Sequence, residues 1–212
     1  MTLSTPFHAR PFHDRLAALY RAGMALPLTG LWSDPRIEDE APLKPAAVLI
    51  AVTDEAEPSI LLIHRPATMR AHPGQIALPG GRCDAGEDAT TAALREAQEE
   101  LGLPPERVRV IGPLDIVRTA SGYEITPVLA TIPAGLTLTP NPAEVDDWFA
   151  APAAHVLTAG NHGLREVEWR GAMYKVIEID WQGRRIWGVT GAILSNLARR
   201  IAWAHIDAVD PT

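Results

Sequence analysis

Gly81-Arg82-Cys83-Asp84-Ala85-Gly86-Glu87, then seven residues, then Arg95-Glu96-Ala97-Gln98-Glu99-Glu100-Leu101-Gly102-Leu103: the rest of the chain can be ordered around this stretch. Its second half lies in the strongest helical pattern of the sequence, Asp88 to Leu101. Gly102 suits a left-handed cap there, and Pro104 and Pro105 prevent continuation. Glu96, Glu99 and Glu100 stand at i, i+3 and i+4 and so share a face. Like charges at that spacing repel by a few tenths of a kcal/mol per pair, roughly. They also crowd the negative end of the helix dipole. A helix selected for stability alone would carry lysines there. A hard divalent cation resolves the conflict, because Mg²⁺ binds carboxylate oxygens. Taken alone, three glutamates also fit a solvated acidic face. Asp84 and Glu87 have capping-box spacing, and Arg95 is placed to pair with Glu99.

Outward from this helix, apolar runs at Ala46–Thr53 and Ser59–His64 predict two strands joined by a turn. Pro66–Gly81 predicts a long loop. Beyond the helix, strands are expected at Arg107–Ile111, Leu114–Val117, Tyr123–Ile132 and Val145–Phe149. Val167–Trp169 and Met173–Asp180 resemble a hairpin around Arg170-Gly171. Asp14–Met24 has helical spacing, and Trp187–Ala204 reads as a closing amphipathic helix. Strands around a central helix, with another helix at the end, predict an α+β fold, an α/β/α sandwich. Residues 1–40 are expected to form an N-terminal helix with an irregular extension, and residues 41–206 the main domain.

The whole chain sets bounds. Its 212 residues are enough for one well-buried core. No apolar stretch approaches the roughly 20 residues that span a bilayer, so no membrane association is expected. The net charge of −7 argues against a nucleic-acid-coating surface. A single cysteine, Cys83, excludes an intrachain disulfide, and the N-terminus lacks an apolar signal core. Both predict a cytoplasmic protein. Cys83 has no matched histidine and reads as inert. Nothing here fixes the oligomeric state, and a homodimer stays open.

The quoted stretch resembles the Nudix box, in which a Gly is followed after five residues by Glu, and after seven more by Arg-Glu-aliphatic-any-Glu-Glu-any-Gly-aliphatic. Gly81, Glu87, Arg95, Glu96, Glu99, Glu100 and Gly102 match. Seven fixed positions would coincide by chance on the order of once in 10⁸ windows. Ala97 is smaller than the usual aliphatic, which touches packing rather than chemistry. The resemblance implies a Nudix-type sandwich with a mixed sheet. It also implies a loop–helix–loop holding Mg²⁺ or Mn²⁺ against the diphosphate of a small nucleotide substrate. It maps metal-binding carboxylates to Glu96, Glu99 and Glu100, and a carboxylate-orienting arginine to Arg95. The general base is mapped either to Glu99 in the box or to Glu144 in a later loop, where a solvated acid is the alternative.

Leu61 to Gly81 carries a second resemblance, to the coenzyme A pyrophosphatase branch of that family, with Arg65, His72, Gly74, Pro79, Gly80 and Gly81 matching. Ile63, Pro66, Met69 and Leu78 depart from the pattern. Ser121–Val128, Glu144-Val145 and Trp187–Thr190 extend the match. The branch implies hydrolysis of coenzyme A to 3′,5′-ADP and 4′-phosphopantetheine. Arg65, Arg70 and His72 are suited to donate to phosphates, and Gly80 and Gly81 to let the backbone approach. Two other readings stand beside it: a Nudix enzyme acting on another nucleoside diphosphate derivative such as ADP-ribose, and a non-catalytic nucleotide-binding module. The retained glutamates argue against the module, since a pure binder has no need of repelling carboxylates.

Overall fold

The computed structural model describes residues 10–37, 42–68 and 73–206. Strand β1 (Lys44–Asp54) is apolar on both faces because both are covered. Ala47, Leu49 and Ala51 point into one core, and Ile50 and Val52 into the other. β1 pairs in parallel with β7 (Tyr123–Pro133) along its whole length. Its other edge is divided. Val52 meets Ile60 of β2 (Ser59–His64), while Ala46–Val48 pair with β4 (Gly80–Arg82). β2 therefore splays away from β1. Strand β3 (Ile76–Ala77) pairs with the end of β2, so the β3–β4 segment fills the fork. β5 (Arg109–Pro113) and β6 (Val117–Thr119) flank β7, and β8 (Asp147–Pro152) flanks β2. All these pairings except β1–β7 are antiparallel, so the sheet is mixed.

Helix α2 (Ala89–Leu101) covers one face through Ala92, Ala93, Ala97 and Leu101. The other face is covered by α1 (Phe12–Ala25) and α4 (Val189–Ile201), whose Leu16, Leu19, Ile193, Leu194 and Leu197 share one core. The architecture is the expected α/β/α sandwich. Gly23 lets α1 cross α4 closely, since a Cβ there would collide with the Arg200 carbonyl. A short helix, α3 (Ala153–Val156), follows β8. A second sheet of β9 (His162–Trp169), β10 (Ala172–Trp181) and β11 (Arg184–Trp187) packs on α4. No helix among the described residues is long and apolar enough to cross a membrane.

Several expectations need correction. The Pro66–Gly81 loop contains β3 and β4, which are held by tertiary pairing rather than by any pattern of their own. β8 begins at Asp147 instead of Val145, because its register is set by six partners on β2. β6 begins at Val117 rather than Leu114. The closing helix starts at Val189, after Gly188 turns the chain at φ 65°, and Trp187 ends β11. The helix cap of α2 is Asp88, whose Oδ1 accepts from the Thr90 and Thr91 amides at 2.9 and 3.1 Å. Asp84 is not the cap, although its amide donates to Glu87.

Candidate active site

α2 aims its glutamates at the fork in the sheet. Glu100, at the buried end, is 1% exposed. Its Oε2 accepts from the Gly80 amide at 2.9 Å, and its Oε1 lies 3.4 Å from Arg65 Nη1. Burial pushes its carboxyl up to about 8, against the pull of the Gly80 amide and Arg65. Glu96 is half-buried and also pushed up, mainly by burial, despite a 2.9 Å bond from Arg95. Glycine lets the backbone approach here, strictly at Gly80 and at Gly81 for the sake of the Glu96 carboxylate. A Cβ on Gly80 would strike the β1 backbone at Ala47 and Val48, and one on Gly81 would strike the Glu96 carboxylate.

A third carboxylate arrives from the loop before β8. The C-terminal carbonyls of α2 have no partner within the helix. Two of them accept from that loop instead: Leu101 from the Thr139 amide at 2.8 Å, and Glu100 from the Asn141 amide at 2.9 Å. Asn141 then organises the turn, accepting from the Ala143 amide and donating to Glu144 Oε1. The result brings ligand oxygens of Glu96, Glu100 and Glu144 within 4.8 Å of one another. Three carboxylates so close, two of them driven toward neutrality by burial, fit a hard divalent cation. Opposite charge favours their ionised form, and oxygen donors are what such a cation takes.

Glu99 stands outside this cluster, about half exposed, and accepts from Arg95 Nη1 at 3.0 Å. Arg95 uses all five of its N–H donors: on Glu87 twice, on Glu96, on Glu99 and on the Arg82 carbonyl. It positions carboxylates and ties the β4 turn to the helix, and it does not line the cleft. Cys83 is half-buried, and burial together with Glu87 pushes its thiol up, as suits an inert cysteine.

The carboxylates form one wall of a cleft of about 430 Å³. Arg65, Gly80 and Gly81 line it as well, and Arg65 Nε is buried there without a partner among the described residues. Arg70 and His72 lie outside the described residues. Its apolar lining is Ile76, Leu78, Ile125, Trp187, Val189 and Ile193. Thr119, Ser121 and Tyr123 of the β6–β7 turn close one side. The resemblance marks the segment of these turn residues without giving them a role. What it lacked was the pairing of β6 with β7, which turns them toward the carboxylates.

The Nudix domain family matches residues 43–170 of the chain. An uncharacterized Nudix hydrolase, NudL, of Photorhabdus laumondii is 38% identical over 157 residues, covering 74% of this chain and 84% of NudL. NudL of Cronobacter sakazakii, also uncharacterized, is 42% identical over 158 residues, covering 74% and 82%. Among solved structures, the Nudix hydrolase RenU of M. smegmatis is similar at 27% identity with a TM-score of 0.47, covering 56% of this chain and 83% of RenU. With Gly81, Glu96 and Glu100 of the box lining one cleft and relatives at this identity over most of its length, the chain belongs to the Nudix hydrolase family, and it is a pyrophosphohydrolase of a nucleoside diphosphate derivative.

Proposed function

We propose that the substrate is coenzyme A or one of its derivatives, cleaved at the diphosphate to 3′,5′-ADP and 4′-phosphopantetheine, with Mg²⁺ or Mn²⁺ held by Glu96, Glu100 and Glu144. The observation that carries this reading is the mixed lining of the cleft. Carboxylates and a guanidinium line it together with an apolar set, Ile76, Leu78, Ile125, Trp187, Val189 and Ile193. Such a cleft suits a molecule with a diphosphate at its middle and an uncharged arm beyond it. The branch resemblance of Leu61–Gly81 supports the same choice. When bound, the cation supplies charge neutralisation of the diphosphate and a more acidic water. The chain's own residues do the rest. Arg65 lines the cleft, and its guanidinium is suited to donate to a phosphoryl oxygen. The Gly80 amide holds Glu100 in one orientation. Arg95 fixes Glu96. Glu144 is placed to take a proton at its carboxylate, and Glu99 is the other acceptor to be tested.

The deciding measurement is kcat/KM for coenzyme A, dephospho-coenzyme A and ADP-ribose under identical Mg²⁺ and Mn²⁺, with product identification. Coenzyme A is expected to exceed dephospho-coenzyme A by about tenfold or more, the range for a donor left unpaired by the lesser substrate. A preference for ADP-ribose would overturn the substrate and leave the family chemistry standing.

A further inference from the structure

A second hollow of about 130 Å³ lies behind the β6–β7 turn, less than a third the volume of the main cleft. It is bordered by Arg36, Leu43, Ala120, Gly122, Trp169 and Arg170. Thr119 lines both spaces, so they adjoin at that residue. The hollow is built around a buried acid. Asp34 is 3% exposed, and its two oxygens take Arg36 Nε and Nη2 at 2.8 Å each. The same carboxylate accepts the Ala120 amide at 3.0 Å. One aspartate therefore fixes both an arginine and the wall of the turn. Burial alone would raise its carboxyl, but these hydrogen bonds hold it below its ordinary value, so it remains an anion.

The pairing with Asp34 occupies one edge of the Arg36 guanidinium and leaves its Nη1 outside that pair. Its central carbon lies over Trp169, 5.2 Å from the ring centroid, and that of Arg170 lies 5.8 Å from the same centroid. At such cation–π distances a guanidinium is held by the ring without spending its N–H donors, which stay suited to phosphate oxygens. Arg170 adopts φ 50° in the β9–β10 turn, a conformation that favours glycine or asparagine. Local backbone preference therefore does not explain an arginine there.

We propose that this hollow is an anion subsite which takes a ribose phosphomonoester of the substrate, apart from the diphosphate at the carboxylates. The proposal rests on the coenzyme A reading, because that substrate carries such a group and ADP-ribose does not. It moves the source of substrate discrimination from Arg65, which serves the reaction centre beside Glu100, to Arg36 and Arg170. The hollow is large enough for one compact group and too small for a second substrate.

The test is the ratio of kcat/KM for coenzyme A over dephospho-coenzyme A, measured in the wild type, Arg170→Gln, Arg36→Lys and Lys175→Gln. A partly unfolded fraction cancels in this ratio. The wild-type ratio is expected at about tenfold or more. Arg170→Gln should bring it close to one, and Arg36→Lys, which keeps the charge but not the fork, should lower it severalfold. Lys175→Gln, a charge lost from β10 outside the hollow, should leave it alone. Equilibrium binding of adenosine 3′,5′-bisphosphate against adenosine 5′-monophosphate should lose its preference in the same two variants. If coenzyme A is preferred tenfold and both arginine variants retain that preference, the subsite is overturned while the substrate stands. If the wild-type ratio is near one, the subsite is overturned even though coenzyme A is cleaved. If ADP-ribose is preferred, the substrate reading fails and takes the subsite with it.

Discussion

Helices α2 and α4 are each 13 residues long and lie on opposite faces of one sheet, yet they end in opposite ways. α4 follows the rules of helix stability. Its last turn carries Arg199 and Arg200, cations at the negative end of the dipole. Arg199 donates to the carbonyls of Thr29 and Gly30. Arg200 caps α1 through the carbonyls of Gly23 and Leu26 and pairs with both oxygens of Asp115 at 2.6 Å. α2 breaks the same rules, with acids in its last turns and no basic residue there. Where a helix departs from local stability without a structural gain, function accounts for the departure. The comparison therefore separates two kinds of charged residue: acids on α2 that gather at the cleft, and arginines on α4 that hold the fold.

The largest effect that would break this division is at Glu100. Glu100→Gln replaces a carboxyl whose ionisation burial makes costly, and the amide oxygen still accepts from Gly80. Stability without metal should be equal or slightly higher, while kcat falls by roughly 10²–10³, the scale of one electrostatic contact in the transition state. Thermal unfolding and steady-state kinetics on the same protein check both halves. Near-normal turnover in the folded variant would remove Glu100 from the reaction.

Arg200→Met should behave in the opposite sense. It leaves Asp115 and two α1 carbonyls without their partner, costing about 3 kcal/mol of unfolding free energy. The value is at the low end for a buried pair because the Asp115 side chain is 24% exposed. The kcat of the fraction that is folded should hold within severalfold of wild type. Loss of turnover without loss of stability would mean that α4 too serves the reaction.

The contrast between the helices was legible in the sequence only on the α2 side. There the pattern is local: helix period, Gly102 at φ 64° and the box spacing all lie within Gly81–Leu103. The apolar runs of β1 and β2 were equally plain. What escaped was set by distant partners. β3 and β4 are strands because β2 and β1 pair with them. Glu144 joins Glu96 and Glu100 because amides of its loop satisfy the end of α2. The Asp34 hollow joins residues 86 positions apart, Asp34 and Ala120. A single chain carries no periodic signal for any of these.

The carboxylates of α2 and its loop can be divided further. Glu144 shares the cluster, whereas Glu99 faces solvent beside Arg95. Glu144→Gln should therefore lower kcat by about 10²-fold, the lower range for a lost general base. Glu99→Gln should cost less than about tenfold, as the loss of one outer partner does. Comparison of their kcat–pH profiles locates the base: it is the variant that loses the acidic limb. If Glu99→Gln proves the more damaging, the base belongs to the helix and Glu144 is a loop acid.

The smallest effect concerns pH on the structural side. Hydrogen bonds from Arg200 hold the Asp115 carboxyl below its ordinary value of 3.8, more than offsetting burial. A carboxylate whose folded-state value is depressed stabilises the fold above its unfolded value, and that contribution disappears as pH falls through the folded value. Asp115→Asn keeps the shape but turns one of the two acceptor oxygens into an NH₂ that meets an Arg200 donor, so it removes the charge and one of the two hydrogen bonds. At pH 6 the variant should be less stable by about 1 kcal/mol, the difference between charge-assisted and neutral hydrogen bonds. Below pH 3.8 the unfolded chain takes up the proton first, so the gap should narrow as pH falls from there through the depressed folded value. Other acids titrate in both proteins and cancel in the difference. Denaturant unfolding of the pair at pH 6, 4 and 3 measures it. A gap that stays constant or widens on acidification would show that Asp115 contributes through shape, and that the ion pair at the end of α4 is not what holds the fold.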